Sequence, residues 1–367
     1  MQALILAGGE GTRLRPLTST VPKPVVPLVD RPFIAFMIDW LRKHGVDDIV
    51  MSCGHLASGV RNVLGDGSAF GIELRYVEEP RPLGTGGAVK YAEALLDDRF
   101  LMLNGDVLTD LDIEAQIAMH ERTGARATIA LTPVEDPTAY GLVRIGDGGE
   151  VTEFVEKPAP DQIDTSNISA GAYVLERSVL DLLPPDQPAS IERDVFPQLV
   201  GHGLYGYVAD GYWLEIGTPE RYLQATFDIL EATVATAVAE RMRPDYLCVE
   251  DGVQSDGRII PSALVETDCR IGAGARVGGR VVLERGVAVG AGTTLERAVV
   301  MQGAEIGANC RLHGCIVAGG VRIGDDCVVD GLSVLGEGAT LGAGNVVSNG
   351  ARLAPGVSLP DQGLLFQ

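Results

Sequence analysis

Apolar residues in the first 235 positions alternate between strand-like and helix-like spacings. A continuous apolar run over residues 3–7 predicts a short buried strand. Apolar side chains then recur three and four residues apart, which predicts an amphipathic helix over Phe33, Phe36, Met37, Trp40 and Leu41. The same reasoning predicts strands at 48–53, 73–77 and 100–103 and helices at 55–64, 86–96 and 218–234. This alternation predicts a mostly parallel sheet covered by helices, which binds ligands beyond the carboxyl ends of its strands.

A different period begins after residue 251. An aliphatic residue returns every six positions, at Val265, Ile271, Val277, Leu283, Val289, Leu295 and Met301, and, after a slip through Ile306 and Leu312, at Val317, Ile323, Val329, Leu335, Leu341, Val347 and Leu353. Glycine often follows it, and we expect that glycine to permit the corner between two sides. This hexapeptide repeat predicts a parallel β-helix of on the order of five coils. We therefore predict a first domain at 1–235, a helical or extended linker at 236–255 and a repeat domain at 256–367.

Charge and composition narrow the classes of function. The chain has 367 residues and a net charge of −21, which argues against binding to nucleic acid or to an anionic membrane. Any phosphate site must then be locally positive. The first apolar run is too short for a signal peptide, and no segment has the length of a membrane span. The six cysteines form no CxxC pair, so we expect reduced core residues in a cytoplasmic protein.

The most informative segment directly follows the first predicted strand. It reads LAGGEGTRLRPLT over 6–18 and continues as VPKP over 21–24. Its glycines let backbone N–H groups approach phosphate oxygens closely, and Arg13 and Lys23 bring positive charge to the same place. The spacing matches neither the GxGxxG fingerprint nor the Walker A loop.

Four further segments carry candidate chemistry. In EEPRPLGTGG at 78–87, a carboxylate could read the adjacent donors of guanine, although glutamates on a loop are usually only solvated. Asp106 ends the sequence LNGD after a strand, where its carboxylate suits a hard cation. FVEKP at 154–158, with NISAGAY at 167–173, and YWLEIGTP at 212–219 complete the set.

These five segments, in this order, resemble the motifs of the sugar-1-phosphate nucleotidyltransferases, and the resemblance covers about the first 230 residues. Several branches of that family also carry a repeat domain. The resemblance implies an α/β protein in which a Rossmann-like domain with a mixed sheet precedes a left-handed parallel β-helix. It implies an enzyme that joins a nucleoside triphosphate (NTP) to a sugar 1-phosphate, and Mg²⁺ as its cofactor. We also expect a homo-oligomer that assembles through the repeat domain, because exposed coil faces and ends favour self-association.

The resemblance also implies a role for individual residues. Arg13 and Lys23 would be the catalytic cations that act on the phosphates. The nucleotide would be bound by Leu6, Ala7, Gly8, Gly9, Gly11, Thr12, Glu79, Gly84 and Thr85. The sugar phosphate would be bound by Gly141, Glu156, Lys157, Asn167 and Gly171. Asp106 and Glu215 would be the metal ligands, although members of the family usually carry aspartate at the second position.

The branch and the chemistry leave alternatives open. PLGT at 82–85, SIE at 190–192 and VFP at 195–197 favour the mannose-1-phosphate guanylyltransferase branch. Glucose-1-phosphate thymidylyl- and uridylyltransferases share much of this pattern. A regulatory subunit that binds sugar nucleotides without catalysis is a second alternative, and it rests mainly on Glu215. A third is an acyltransferase in the repeat domain, where His313 is the sole histidine.

Overall fold

The computed structural model describes residues 1–54 and 56–365 and separates them into two compact units. The first contains Met1–Gly9 and Ile34–Trp213, and the second contains Glu10–Phe33 and the chain from Leu214 onward. All three boundaries between them, at 9/10, 33/34 and 213/214, fall inside segments singled out above. Residue 55 of the predicted helix 55–64 and residues 366–367 of the predicted repeat domain lie outside the described residues. The domain limits 1–235, 236–255 and 256–367 stay a prediction.

A nine-stranded mixed sheet forms the centre of the first unit. In chain order its strands are β1 (Gln2–Ala7), β2 (Asp48–Cys53), β3 (Glu73–Glu78), β4 (Arg99–Asn104), β5 (Ala127–Pro133), β6 (Gly141–Ile145), β7 (Val151–Glu156), β8 (Asn167–Glu176) and β9 (Leu204–Val208). Their order in the sheet is β7–β6–β8–β4–β1–β2–β3, and β5 pairs with β8 and β9. Strands β1 to β4 are parallel, as predicted.

The second half of this sheet departs from the mostly parallel prediction. Strand β8 is antiparallel to β4, β5 and β6, and β6 and β7 form an antiparallel pair. Short connections without a long helix join β5 to β8, so these strands have no crossover helix that would make them parallel. The Rossmann-like mixed sheet expected from the resemblance is confirmed.

Four of the α-helices begin close to the predicted positions, whereas Ile113–Thr123 and Phe196–Leu199 were not predicted. In chain order the α-helices are α1 (Phe33–Lys43), α2 (Ala57–Leu64), α3 (Gly84–Ala92), α4 (Ile113–Thr123), α5 (Phe196–Leu199) and α6 (Pro219–Leu230). The predicted apolar stripe of α1 is buried along its length, and the side chain of Trp40 donates a hydrogen bond to the carbonyl of Leu111. Helix α6 begins after Thr218, whose hydroxyl accepts a hydrogen bond from the N–H of Arg221. Among the described residues, no helix combines the length and apolar character needed to cross a membrane.

Three parallel sheets build a left-handed β-helix in the second unit. The first sheet contains Leu247–Val249, Ala263–Val265, Val281–Leu283, Ala298–Val300, Ile316–Val317, Val334–Leu335 and Arg352–Leu353. The second contains Gln254–Ser255, Arg270–Ile271, Ala288–Val289, Glu305–Ile306, Arg322–Ile323, Thr340–Leu341 and Ser358–Leu359. The third contains Arg258–Ile260, Arg276–Gly278, Thr294–Glu296, Arg311–His313, Val328–Val329 and Val346–Val347.

The β-helix differs from the predicted repeat in three details. It begins one coil earlier, because Leu247–Val249 already pairs with Ala263–Val265. The slip begins before Met301, because Val300 pairs with both Leu283 and Val317 and belongs to the interior cluster. The glycine after the aliphatic residue is required for space: a Cβ on Gly307 would lie 2.5 Å from Asp325 Oδ1 and 2.7 Å from the backbone nitrogen of the same residue in the next coil.

The outward row of the first sheet is apolar along most of its length. In register it reads Cys248, Leu264, Val282, Val299, Ile316, Val334 and Arg352. Every member from Leu264 to Val334 is fully buried, whereas Arg352 is exposed. Other segments of the same unit cover the β-helix, since Thr20 donates a hydrogen bond to Glu337 and Arg297 lies over the ring of Phe227.

Candidate active site

Glycines bring three backbone segments together at the carboxyl edge of the parallel strands. The N–H of Gly105 donates a 2.9 Å hydrogen bond to the carbonyl of Leu6. A Cβ on Gly54 would lie 2.9 Å from the carbonyl oxygen of Gly8, so only glycine permits this approach. Ala7 is nearly buried, whereas Gly8 and Gly9 are exposed. The backbone predicted to bind the nucleotide therefore lies at the edge where open α/β sheets bind ligands.

The continuation of that segment, in the second unit, is a short turn stabilised from within. Gly11 adopts a left-handed φ of 61°, and its carbonyl accepts hydrogen bonds from the hydroxyl of Thr18, at 2.7 Å, and from the N–H of Leu14. Thr12 begins a 3₁₀ turn that ends at Leu14. A Cβ on Gly11 would lie 3.1 Å from the Cβ of Lys23, so the predicted catalytic lysine starts directly beside this glycine.

Arg13 and Glu215 form an ion pair within the second unit. Arg13 Nη2 lies 2.8 Å from Glu215 Oε1, and the side chains are 64% and 23% exposed. A Cβ on Gly217 would lie 2.6 Å from Arg13 Nη2 and 2.9 Å from Glu215 Oε1, so the pair needs a residue without a side chain there. A predicted catalytic cation and a predicted metal ligand are therefore direct neighbours.

The segment predicted to bind the base belongs to the first unit. Glu79 accepts hydrogen bonds from the hydroxyl of Ser52 and the N–H of Leu83, each at 3.1 Å. Its Oε1 would lie 3.1 Å from a Cβ on Gly8, so the carboxylate lies beside the exposed backbone of Gly8. Glu79 thus orders the loop before α3, and its remaining lone pairs are available to a ligand.

Gly84 and Thr85 shape the start of α3. Gly84 has a φ of 71°, and a Cβ on it would lie 2.6 Å from the carbonyl oxygen of Ala189, which leaves no room for a side chain. Thr85 donates a 2.6 Å hydrogen bond to Glu192 and accepts one from the N–H of Ile191. The predicted nucleotide-binding turn is therefore fastened to residues 189–192.

The first residues predicted to bind the sugar phosphate lie at the start of β6 and at the end of β7. A Cβ on Gly141 would lie 2.6 Å from the ring of Phe154 and 3.0 Å from Glu156 Oε2. Glu156 is half-buried, and burial together with the negative charge of Glu192 raises its pKa. Lys157 is exposed, has a φ of 54°, and its N–H donates a hydrogen bond to the carbonyl of Tyr140. A carboxylate therefore ends β7, and an ammonium group follows it in the next residue.

Strand β8 positions the remaining residues predicted for the sugar. Asn167 begins β8 and is half-buried. Gly171 has a φ of 72°, and a Cβ there would lie 2.7 Å from the side-chain nitrogen of Asn104. Burial raises the pKa of Tyr173, whose hydroxyl is hydrogen-bonded to Ser169 and Asn104. Asp106 follows Asn104 after one residue and is half-buried.

The carboxylates of this chain suit a magnesium ion. Within residues 1–54 and 56–365, no three histidine, cysteine, aspartate or glutamate side chains form a cluster that could hold a metal ion. Proteins usually bind Mg²⁺ through one or two carboxylates together with substrate phosphates, not through a complete protein cage. Asp106 and Glu215 each supply one such carboxylate, so their chemistry fits the ion that the resemblance implies.

Several residues with direct contacts to the predicted site were not among the sequence candidates. Glu192 accepts hydrogen bonds from Thr85 and Ser190, at 2.6 and 2.7 Å. The indole of Trp213 donates to the carbonyl of Ala170 and packs edge-on against Tyr140. The segments at 190–192 and 212–219 stood out as motifs, which was the available signal for both residues.

The side chains of Cys310, His313 and Cys315 do not share one environment in the β-helix. Both cysteines belong to the interior cluster of the β-helix, whereas His313 is exposed. All six cysteines are free, five of them buried. Burial raises the pKa of the Cys315 thiol to about 12, which suits an inert core residue.

Comparisons with known proteins agree with the motifs. The model of the nucleotidyl transferase family matches residues 2–232, and that of the GMPPB C-terminal domain matches residues 259–360. A mannose-1-phosphate guanylyltransferase of Mycobacterium tuberculosis is 36% identical over 81% of this chain and 83% of its own length. A probable mannose-1-phosphate guanylyltransferase 1 of Oryza sativa is also 36% identical, over 82% and 81%. A UTP–glucose-1-phosphate uridylyltransferase of Synechocystis is 36% identical over 64% of each chain.

Solved structures give the same result for the first part of the chain. The crystal structure of HddC from Yersinia pseudotuberculosis is 30% identical and has a TM-score of 0.54, over 61% of this chain and 97% of that one. A putative glucose-1-phosphate thymidylyltransferase from Bacillus anthracis is 26% identical with a TM-score of 0.57, over 61% and 93%. With a family model that matches more than half of its residues, and with relatives that align over four-fifths of its length, this chain belongs to the nucleotidyl transferase family and is a nucleotidyltransferase.

Proposed function

We propose that this enzyme transfers the guanylyl group of GTP to mannose 1-phosphate, producing GDP-mannose and pyrophosphate. The observation that carries the proposal is the end of β7, where the carboxylate of Glu156 stands beside the bare Cα of Gly141 and Lys157 follows directly. A carboxylate recognises sugar hydroxyls, an ammonium group binds a phosphate, and a glycine leaves room for the ring. We assign Asn167 and Gly171 to the same sugar-phosphate subsite.

The choice of GTP and mannose rests on the relatives and on one carboxylate. The relatives that align over four-fifths of this chain are named mannose-1-phosphate guanylyltransferases, whereas the uridylyltransferase relative aligns over 64%. The carboxylate of Glu79 favours recognition of guanine, because guanine presents two adjacent hydrogen-bond donors, whereas uracil and thymine present only one. We assign the backbone of Leu6, Ala7, Gly8 and Gly9, with Gly11, Thr12, Gly84 and Thr85, to the remainder of the nucleotide.

The reaction is a direct displacement at the α-phosphorus. The second pKa of a phosphate monoester is near 6, so the sugar phosphate is largely a dianion at neutral pH and needs no general base. Its oxygen forms the new bond to the α-phosphorus while the bond to the β-phosphate oxygen breaks, and pyrophosphate carries away the electron pair. Arg13 and Lys23 neutralise charge on the transferring phosphates, and Lys157 neutralises the attacking one.

Magnesium would supply further positive charge to the phosphate oxygens, and we propose Asp106 and Glu215 as its ligands. Glutamate in place of the usual aspartate keeps the charge and extends its reach by one carbon. The ion pair of Glu215 with Arg13 is partly exposed, and such pairs contribute little stability, so substrate and metal can reorganise it at small cost.

The test is pyrophosphate release with Mg²⁺, crossing GTP, dTTP, UTP, ATP and CTP with mannose and glucose 1-phosphates. We expect turnover to be fastest with GTP and mannose 1-phosphate, and Glu79→Gln to reduce the preference for GTP over UTP. A preference for dTTP or UTP with glucose 1-phosphate would contradict the assigned substrates and the base reader, but not the enzyme class.

We also propose a homo-oligomer assembled through the β-helix and a cytoplasmic location. The first rests on the exposed strand edges at the ends of a β-helix, and the second on the free, mostly buried cysteines. Analytical ultracentrifugation of the whole chain tests the first proposal, and a sedimentation coefficient of a monomer at micromolar concentration would contradict it.

A further inference from the structure

We propose that Arg352, on the β-helix, is a positioning residue that holds the turn carrying Arg13. This proposal rests on the role given to Arg13 in the proposed function. Arg352 begins the seventh strand of the first β-helix sheet, far along the chain from the first motif. It belongs to the same compact unit as residues 10–33.

One nitrogen of Arg352 joins two carbonyls of the turn. Its Nη1 donates hydrogen bonds to the carbonyl oxygens of Arg13, at 2.8 Å, and of Arg15, at 2.6 Å. The residue between them, Leu14, is buried. Two carbonyls on either side of a buried residue are thus fixed by one charged donor, which orients the Arg13–Leu14 and Arg15–Pro16 peptide units.

The position of Arg352 in its sheet is unusual for this β-helix. From Leu264 to Val334 the same outward row consists of buried aliphatic residues, which contribute packing. At Arg352 the row becomes exposed and polar, although any polar side chain would suit an exposed strand position. The guanidinium group of Arg352 donates hydrogen bonds to two carbonyls of the turn. This favours a role in holding the turn over a role in the stability of the coil.

A second contact ties the same segment to the preceding connection of the β-helix. The hydroxyl of Thr20 donates a 2.9 Å hydrogen bond to Glu337, which lies between the strands Val334–Leu335 and Thr340–Leu341. The segment from Arg13 to Thr20 is therefore held by the β-helix at both ends.

The turn has little stability of its own. It is a single 3₁₀ turn in which Leu14 N–H donates to Gly11 O, Arg15 N–H donates to Thr12 O, and the hydroxyl of Thr18 donates to Gly11 O. Such turns have poorer hydrogen-bond geometry than an α-helix and depend on their surroundings. Without Arg352, we expect the backbone of Arg13 to sample other orientations. The exposed guanidinium of Arg13 would then extend from a backbone that is no longer fixed, whereas electrostatic catalysis requires a preorganised charge.

The proposal predicts a loss of kcat with little loss of binding. In Arg352→Ala, we expect kcat to fall about 10- to 50-fold, because a displacement near 1 Å in a catalytic group costs up to about 100-fold. KM for the sugar phosphate and Kd for the NTP should stay within about threefold. Arg352→Lys keeps a charged donor and should recover most of kcat. Guanidinium ion added to Arg352→Ala should restore part of the activity.

Hydrogen exchange gives a readout independent of turnover. The amides of Leu14 and Arg15, which are hydrogen-bonded within the turn, should exchange at least about tenfold faster in Arg352→Ala than in the unchanged protein, because local opening is less opposed. Arg311→Ala is the matched control. Arg311 is also exposed on a β-helix strand, but its partner is Asp330, another residue of the β-helix. It should alter neither kcat nor exchange at the amides of Leu14 and Arg15.

The outcomes separate this proposal from the proposed function. Kinetics are measured with the NTP and sugar phosphate that the unchanged protein turns over fastest, whichever they are. Unchanged kcat and unchanged exchange in Arg352→Ala would overturn the positioning role, and so would a rise in Kd for the NTP that accounts for the whole loss. No turnover by the unchanged protein would overturn the proposed function alone, and exchange would still decide for Arg352. Should Arg352→Ala not fold, Arg352→Gln is measured in the same way.

Discussion

Arg13 Nη2 lies 2.8 Å from Glu215 Oε1, so the cation assigned to the transferring phosphate is paired with a carboxylate assigned to magnesium. Pairing with Arg13 would compete with the proposed metal binding by Glu215 as long as no substrate is present. Because Arg13 is mostly exposed, solvent screens this competition. Under the proposed function, the pair would be a resting arrangement that the substrate phosphates and the metal ion replace.

This relationship predicts that Arg13→Ala binds Mn²⁺ more tightly than the unchanged protein when substrate is absent. The expected gain is about two- to fivefold, in line with the small value of exposed ion pairs, and is measured by calorimetry or by electron paramagnetic resonance. Glu215→Ala should weaken the same binding by at least about tenfold, and Glu215→Asp should retain it. Arg15→Ala is the control, because Arg15 pairs with Glu10. Unchanged Mn²⁺ affinity in Glu215→Ala would exclude Glu215 as a ligand.

Lys157→Ala should impair use of the sugar phosphate much more than binding of the NTP. The side chain is exposed at the end of β7, and its loss removes one charge-assisted contact, which corresponds to about a 10- to 100-fold loss of kcat/KM for the sugar phosphate. Kd for the NTP, measured by calorimetry, should stay within about twofold. Arg122→Ala removes an exposed cation from α4 and should leave both values unchanged. Equal losses for both substrates would contradict the division of labour between Lys157 and Arg13.

The periodic parts of the fold were predictable because burial imposes the same period on sequence and structure. The stripe of α1 is buried in the positions that the spacing indicated, and so is the interior row of the β-helix, except that Val300 takes the place predicted for Met301 and Leu353 is only partly buried. The first coil escaped the pattern because its second strand, Gln254–Ser255, carries no aliphatic residue. The antiparallel strands β5 to β8 were not predictable from periodicity alone, because the connections between strands decide their direction.

The candidate site was predictable as a set of residue types but not as a set of contacts. The resemblance of two local motifs to those of the family pointed to Thr85 and Arg13. It could not identify Glu192 or Arg352 as their partners, because these residues are distant in the chain and meet them only through the tertiary fold. Contacts of this kind leave no period in the sequence.

Two glycines with the same φ allow the cost of a left-handed backbone conformation to be distinguished from the cost of a steric clash. Gly84 and Gly45 both have a φ of 71°, but a Cβ on Gly84 would lie 2.6 Å from the carbonyl oxygen of Ala189, whereas nothing lies within 4 Å of a Cβ on Gly45. Gly45→Ala should therefore lower the free energy of unfolding by about 1–2 kcal/mol, the cost of the left-handed conformation. Gly84→Ala should cost more than twice as much, or displace the start of α3 and raise KM for the NTP. Urea denaturation of both variants measures the difference, and equal losses would contradict a collision with Ala189.

A buried carboxyl under the first motif predicts the pH dependence of stability. Glu284 is nearly buried and lines a cavity with Leu17, Val21 and Met301. Its Oε2 accepts a hydrogen bond from the N–H of Gln302, whereas its Oε1 is buried without a partner. Burial above all, opposed by the hydrogen bond from the N–H of Gln302 and aided by the negative charges of Glu266 and Asp30, raises the pKa of Glu284 to about 8.

The protonated form of Glu284 is therefore favoured in the folded protein. The stability that this preference contributes is complete below the unfolded pKa of 4.5 and is lost as pH rises toward the folded pKa of about 8. Glu284→Gln cannot ionise, so the unfolding free energy of the unchanged protein should fall relative to this variant by up to about 1 kcal/mol per pH unit between pH 5 and 8. Glu305→Gln, at an exposed strand position, should show no such relative change. Urea unfolding at each pH measures the difference, and parallel curves for the unchanged protein and Glu284→Gln would mean that this carboxyl is already ionised in the folded state.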